Sequence, residues 1–193
     1  TLIMDLFLKF HNVSAYKFSD TIKEMGFRQV LESVRSGEST MGFIFYIKND
    51  TQKKNKIKEE YDLCFQELIA PMQMYVLIHK THPLAEMKGI KAANLSDYPY
   101  VTYNDSGARN FLDMIGIQEH PELLEVSDRG SFYDALRSGE DLTTMAFRNP
   151  TKDKDFLLLP FEDCRLIMHS AYVTAKNYRL SKREKEFIEF VRS

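Results

Sequence analysis

Met72-Gln73-Met74-Tyr75-Val76-Leu77-Ile78 runs directly into His79-Lys80-Thr81-His82-Pro83-Leu84-Ala85, and the reading of these two segments decides the fold. The first is short, apolar and rich in residues that suit a pleated surface, so it predicts a buried strand. The second is a turn, because Pro83 fixes its own φ and has no N–H to give to a ladder. A short helix over residues 90–95 follows, then a second strand over residues 100–103 that ends at Asn104-Asp105-Ser106-Gly107. What stands before and after residues 67–104 reads as two copies of one unit. The stretch is therefore read as the passage from one lobe to the next.

The copies align in order. Phe18-Ser19-Asp20 precedes a helix ending Val34-Arg35-Ser36-Gly37-Glu38, and Thr40-Met41-Gly42-Phe43 comes after. Val126-Ser127-Asp128 precedes a helix ending Leu136-Arg137-Ser138-Gly139-Glu140, and Thr144-Met145-Ala146-Phe147 comes after. Each match alone is weak, since a helix that ends in glycine and feeds a buried strand is a common αβ unit. Three matches in one order argue for architectural repetition.

Composition sets the bounds. At 193 residues and 44% apolar content the chain is long enough for one domain or two small ones with real cores. A net charge of −2, with basic and acidic residues intermixed, leaves no electrostatic footprint for nucleic acid or an anionic membrane. No apolar run reaches membrane-spanning length and no signal-peptide pattern is present, so a soluble, cytoplasmic protein is expected. The chain starts at Thr1, already inside a helical pattern, and reads as a fragment.

Along the chain, Leu2, Ile3, Leu6, Phe7 and Phe10 share one helical face, and a strand is expected over residues 15–19. Phe27, Val30, Leu31 and Val34 form a second helical stripe closed by Gly37. Residues 41–47 read as a strand buried on both faces, as in a parallel sheet. The lysine-rich run 53–58 reads as a solvated loop, and residues 61–68 as the next strand. Phe111, Leu112 and Ile115 mark a short helix, residues 122–126 a strand, and Ser131 with Asp134 a capping box. Phe147 closes another strand and residues 148–153 a loop. Strands follow over 156–161 and 165–174, and Ser181 with Glu184 caps a last helix through Phe187, Ile188, Phe190 and Val191. The alternation of strands and helices predicts an α/β chain with mostly parallel sheets.

The motifs of common chemistries are missing: no glycine-rich phosphate loop, no nucleophile elbow, no His-Glu-x-x-His. His79 and His82 would not share a face, and the default is a turn histidine rather than a metal ligand. Cys64 and Cys164 make no disulfide framework; each lies near an expected crossing, which leaves a redox pair open, although cytosolic thiols are normally reduced. No enzyme, metal or cofactor is expected.

The turn His82-Pro83-Leu84-Ala85 after an apolar strand, with Ile90 and Asn94-Leu95 before the strand at Tyr100, resembles the LysR-type transcriptional regulators in their effector-binding region. The helix ending at Gly37 before Met41-Gly42-Phe43, and the close from Leu158-Leu159-Pro160-Phe161 to the last helix, are similar to the family as well. The likeness covers nearly the whole chain. It implies a two-lobed α/β fold like that of the periplasmic binding proteins (type 2), crossed twice by the chain, with a small effector between the lobes. Residues 1–69 plus 165–193 would form lobe one and 70–164 lobe two, crossing at Ala70-Pro71 and Glu162-Asp163-Cys164. The repeat further implies that the first strand of lobe one is missing and belongs upstream of Thr1. The chain departs from the family in having no helix-turn-helix, so it would reach DNA only through an absent N-terminal domain. It departs again at Ser138-Gly139-Glu140-Asp141-Leu142-Thr143, where the family is glycine-rich.

In open α/β sheets ligands bind outside the carboxyl ends of strands. That rule selects Tyr103, Asn104, Ser106, Asp128, Arg129, Gly130 and Arg148 in lobe two, and Gly26, Phe27, Phe45 and Tyr46 in lobe one. Gly26-Phe27, Phe45 and Tyr103-Asn104 also match places where the resemblance puts effector contacts. Each has an ordinary alternative: Phe27 and Phe45 as core, Asn104 and Ser106 as a helix cap. The helix start at Ser106-Gly107-Ala108 with Arg129 suits a small carboxylate-bearing metabolite; Arg129 paired with Asp128 or Glu140 would instead leave the cleft uncharged. Function is expected to be effector sensing for a transcription regulator, with self-association to a dimer, or a tetramer at full length, implied by the resemblance. A periplasmic solute-binding protein of the same fold is the alternative.

Overall fold

A computed structural model describes residues 2–13, 19–47, 60–104, 108–117, 121–147 and 154–193. The chain divides into two compact units, residues 1–71 with 168–193 and residues 72–167. The expected strand over 15–19 and the loops over 53–58 and 148–153 fall largely or wholly outside the described residues.

In the first unit, helices α1 (Leu2–Val13) and α2 (Phe27–Arg35) precede strands β1 (Met41–Ile47) and β2 (Leu63–Glu67). The chain returns late as β9 (Ile167–Ala175) and α6 (Lys182–Arg192). The sheet runs in the order β1-β9-β2, and both pairings are antiparallel. The expectation of a parallel sheet here is wrong. Local alternation of helix and strand predicts parallel neighbours, but the central strand comes from the far end of the chain and runs against both.

Because successive strand residues point to opposite faces, β1 serves two cores. Met41, Phe43 and Phe45 pack with Ile3, Phe10, Tyr172, Phe187 and Ile188 beneath α1 and α6. Ile44 and Tyr46 pack with Leu31, Val34, Leu63 and Val173 beneath α2. The α2 stripe read from sequence does this work: Leu31 is 0% and Val34 3% exposed, and full burial of such a side chain contributes about 1.5–3 kcal/mol. Gly42 lets α2 sit close, since a Cβ there would lie 2.5 Å from Val30 Cγ1. Gly37, just beyond the Ser36 cap, has φ of 77°, a left-handed value that costs glycine little. The Ser181–Glu184 capping box of α6 forms as expected. Glu184 also accepts hydrogen bonds from Thr40 at 2.8 Å and from the Tyr178 hydroxyl at 2.9 Å. Burial pushes this carboxyl up, but the Ser181 N–H, followed by the Thr40, Ser181 and Tyr178 hydroxyls, together hold it below the usual range.

The second unit contains β3 (Met72–Gln73), β4 (Tyr75–His79), α3 (Ala92–Leu95), β5 (Tyr100–Tyr103), α4 (Ala108–Met114), β6 (Leu123–Val126), α5 (Arg129–Ser138), β7 (Thr143–Ala146) and β8 (Phe156–Pro160). Its sheet order is β6-β5-β7-β4-β8. β5 is parallel to β6 and β7, whereas β4 is antiparallel to both β7 and β8, so the mixed sheet again corrects the parallel expectation. Val76, Leu77 and Ile78 are buried at 0%, 2% and 0% exposure, as a central strand requires. Leu77, on one face, packs with Val101, Phe132, Leu136 and Phe156, while Val76 and Ile78 turn to the other.

Two local readings also change. The cap of α5 is Asp128, whose Oδ1 accepts the Ser131 N–H at 3.0 Å, so Ser131 sits inside the helix instead of opening it. Gly139 closes α5 in an extended conformation, φ −98°, unlike Gly37 in the other copy. What requires glycine at 139 is space, because a Cβ would stand 2.5 Å from Leu142 Cδ1 and 3.2 Å from the Ala135 carbonyl oxygen.

Candidate functional site

The parallel part of the second unit places its candidate residues at one end. β5 feeds α4 and then β6 on one side, while β6 feeds α5 and then β7 on the other. The carboxyl end of β5 is therefore a switch point, where diverging connections open a crevice. Tyr103 ends β5 and pairs in register with Val126, which ends β6. The Asn104 N–H donates to the Val126 carbonyl at 3.0 Å, tying the two strand ends together. Asp128 and Arg129 follow at the start of α5.

The aromatic wall at this end is built by α5. Tyr103 stacks on Phe132 with ring centroids 4.8 Å apart and planes 7° from parallel. Phe132 was not among the sequence candidates; its place one turn into α5, on the face that meets β5, was the available signal. Arg129 lies over the Tyr133 ring, 5.7 Å from its centroid, a cation–π distance. Asp128 accepts from the Ser131 N–H and, at 2.6 Å, from its hydroxyl. The Ser131 bonds hold the Asp128 carboxyl below the usual range, so a carboxylate already occupies the first turn of α5. Ser106 and Arg148 lie outside the described residues.

In the first unit the four candidates separate. Gly26 caps α2 and its N–H is taken by Gln29 Oε1 at 3.0 Å. Phe27 and Tyr46 pack around the α2 core, with Tyr46 stacked on His169 at 5.8 Å. Phe45 points to the opposite face, against the α1 and α6 core. Neighbours in a strand cannot line one wall, so Phe27 and Tyr46 form a pair from which Phe45 is excluded.

No three His, Cys, Asp or Glu side chains converge as a metal would need among the described residues. Cys64 and Cys164 are free thiols, half-buried, and burial pushes the Cys164 thiol up. No described helix is long and apolar enough to cross a membrane.

No family model matches the sequence, and no curated protein does either. Solved structures do. HinK, a LysR family transcriptional regulator from Pseudomonas aeruginosa, superposes over 97% of this chain with a TM-score of 0.68 at 13% identity. The chain has the LysR effector-binding-domain fold. It spans 63% of HinK's length, and 88% of the effector-binding domain of QuiR in complex with shikimate. The match to QuiR has a TM-score of 0.69 at 16% identity over 98% of this chain. The BenM effector-binding domain with its effector benzoate gives 0.65 at 17% identity, covering 99% of this chain and 84% of that one. This is the type 2 periplasmic-binding-like architecture the sequence implied. The LysR-type fold is thus carried by core pattern and strand order at an identity where sequence comparison finds no relative.

Proposed function

We propose that this chain is the effector-sensing part of a LysR-type transcription regulator, binding a small metabolite that controls DNA binding elsewhere in a longer protein. The observation that carries the reading is the fold, shared over nearly the whole chain with effector-binding domains whose solved forms hold shikimate and benzoate. Self-association and DNA contact through a separate helix-turn-helix belong to the same proposal.

The effector is assigned to the carboxyl edge of β5 and β6, with Tyr103 and Phe132 as the aromatic wall and Asn104, Asp128 and Arg129 as the polar rim. Gly26, Phe27 and Tyr46, with Ser106 and Arg148, remain proposed contacts on the sequence argument, whereas Phe45, on the opposite face of β1, cannot share their wall. Arg129 can fork two hydrogen bonds to a carboxylate, which makes small carboxylates the first class to test. A thermal-shift screen of metabolites, run on the wild type and on Arg129→Ala, tests the assignment. Ligand at a hundred times its Kd should stabilise the protein by about 2.7 kcal/mol. Stabilisation by carboxylates that the arginine change abolishes supports the proposal. Stabilisation only by uncharged or cationic compounds, or binding indifferent to Arg129→Ala, refutes the carboxylate assignment.

A further inference from the structure

Tyr133 stands outside the pair assigned as the aromatic wall, yet it connects that wall to Arg129. Both residues lie on α5, and their i, i+4 spacing puts the two side chains on one face of the helix. The tyrosine leans back towards the helix start, as long side chains on helices do. The guanidinium carbon of Arg129 stands 5.7 Å from the centre of the Tyr133 ring, within reach of a cation–π contact. The ring is braced on two sides. It meets Phe132 edge-on, with centroids 5.7 Å apart and planes at 84°, and it meets Phe156 of β8 at 6.0 Å. Phe132 in turn carries the flat stack with Tyr103. Tyr103, Phe132, Tyr133 and Arg129 therefore form a continuous chain of contacts, from the end of β5 to the cation at the start of α5.

An arginine held by a carboxylate spends its in-plane N–H donors on that partner, whereas a ring contacts the face of the guanidinium and does not use them. Asp128, the adjacent carboxylate, turns Oδ1 to the Ser131 N–H and Oδ2 to the Ser131 hydroxyl. Arg129 and Tyr133 are both half-buried, so their contact is partly shielded from water, which strengthens it. The ring also restricts a side chain with several rotatable bonds before any ligand arrives, and this lowers the entropy cost of binding.

We propose that Tyr133 is a positioning residue for effector recognition: it acts through Arg129, holding the guanidinium for a carboxylate whose apolar body lies on the Tyr103–Phe132 wall. The role rests on the assignment of the effector to the carboxyl edge of β5 and β6. It adds to that assignment the residue that sets the preference for a carboxylate over a neutral isostere of the same shape. The ring face makes the contact, so Tyr133→Phe should retain the role and Tyr133→Leu should lose it.

Benzoate and its neutral isostere benzamide, titrated at constant ionic strength and followed by amide NMR, test the role; the same spectra report folding. Tyr133→Leu should weaken benzoate about fivefold and leave benzamide as it is, and Tyr133→Phe should keep benzoate within about twofold of the wild type. A loss of packing alone would weaken both ligands alike. In the Arg129→Ala background Tyr133→Leu should add nothing, as expected of a residue that acts through the arginine. Without ligand, the Arg129 Nε–H proton should be shifted upfield by the ring in the wild type and in Tyr133→Phe, and not in Tyr133→Leu. A wild-type Arg129 Nε–H without that shift overturns the role whatever the variants do. Benzoate binding that depends on Arg129 but is unchanged in Tyr133→Leu overturns the role and leaves the effector assignment standing. So does an equal loss of benzoate and benzamide, or an additive effect in the double variant. Failure of benzoate to bind, or binding indifferent to Arg129→Ala, overturns the effector assignment and this role with it.

Discussion

His82 Nε2 lies 3.0 Å from the carbonyl oxygen of Asp141, while its Nδ1 accepts the Leu84 N–H at 3.0 Å. These bonds fix one neutral tautomer, with the proton on Nε2, and join the His-Pro-Leu-Ala turn to the loop that leads into β7. The ring is 2% exposed and sits 4.7 Å from Tyr98. Asp141 belongs to the segment Ser138–Thr143, where the resemblance noted in the sequence leads one to expect a glycine-rich stretch. The histidine gives that loop an anchor.

Burial lowers the His82 pKa from its usual 6.5, ahead of the opposing influence of Asp141. The unfolded chain thus takes up a proton that the folded chain resists. Stability from this group is complete above the unfolded value and is lost as pH falls below 6.5 towards the folded value. Urea unfolding at pH 7.5 and 5.5 should show the loss, and His82→Gln should reduce the difference. At pH 7.5 His82→Ala should cost about 2 kcal/mol, because two buried backbone groups lose their partner.

The repeated helix ends offer a sharper comparison. Gly37 has a left-handed φ of 77° and open space around it, so Gly37→Asn should cost less than about 1 kcal/mol. Gly139 has ordinary φ but no room, so Gly139→Asn should cost more, about 1–3 kcal/mol through overpacking against Leu142. Denaturation midpoints of the two variants check the order; equal costs would mean the glycines do the same job.

Arg183 places its Nε 2.9 Å from Asp20 Oδ2 and its guanidinium 4.9 Å from the centre of Phe10. It thereby ties the segment before α2 to both α1 and α6. Their side chains are 15% and 24% exposed, so the pair is screened less than a surface bridge. Asp20→Ala should destabilise by about 1–3 kcal/mol. Arg183→Lys should not preserve stability, since an ammonium neither forks nor stacks. Unfolding curves at low and high salt should shift little relative to each other.

Phe132 is 8% exposed and supports Tyr103 from below. Phe132→Ala should cost about 3–5 kcal/mol of stability. Tyr103→Phe keeps the ring stack, so it should cost far less stability than Phe132→Ala. A fall in effector affinity in Tyr103→Phe would assign the hydroxyl a ligand contact, and unchanged affinity would leave the ring alone with that role.

What the sequence determined is local. The α2 stripe, the Gly37 closure, the Ser181–Glu184 box and the turn at Pro83 depend on residues within four positions of one another, so their chemistry is written in adjacent letters. The order of these elements was enough for the α/β, two-lobed expectation. The tertiary structure decided whatever needed a distant partner. β9 inserts between β1 and β2, and β4 between β7 and β8, which reverses the expected strand direction. Asp128 displaces Ser131 as the cap, Phe45 and Tyr46 go to different cores, and Gly139 answers to Leu142 rather than to φ. The burial of His82 belongs here too. A periodic pattern records that a face is buried but not what buries it, and the partner of a polar group is fixed only when chain segments far apart in sequence close on each other.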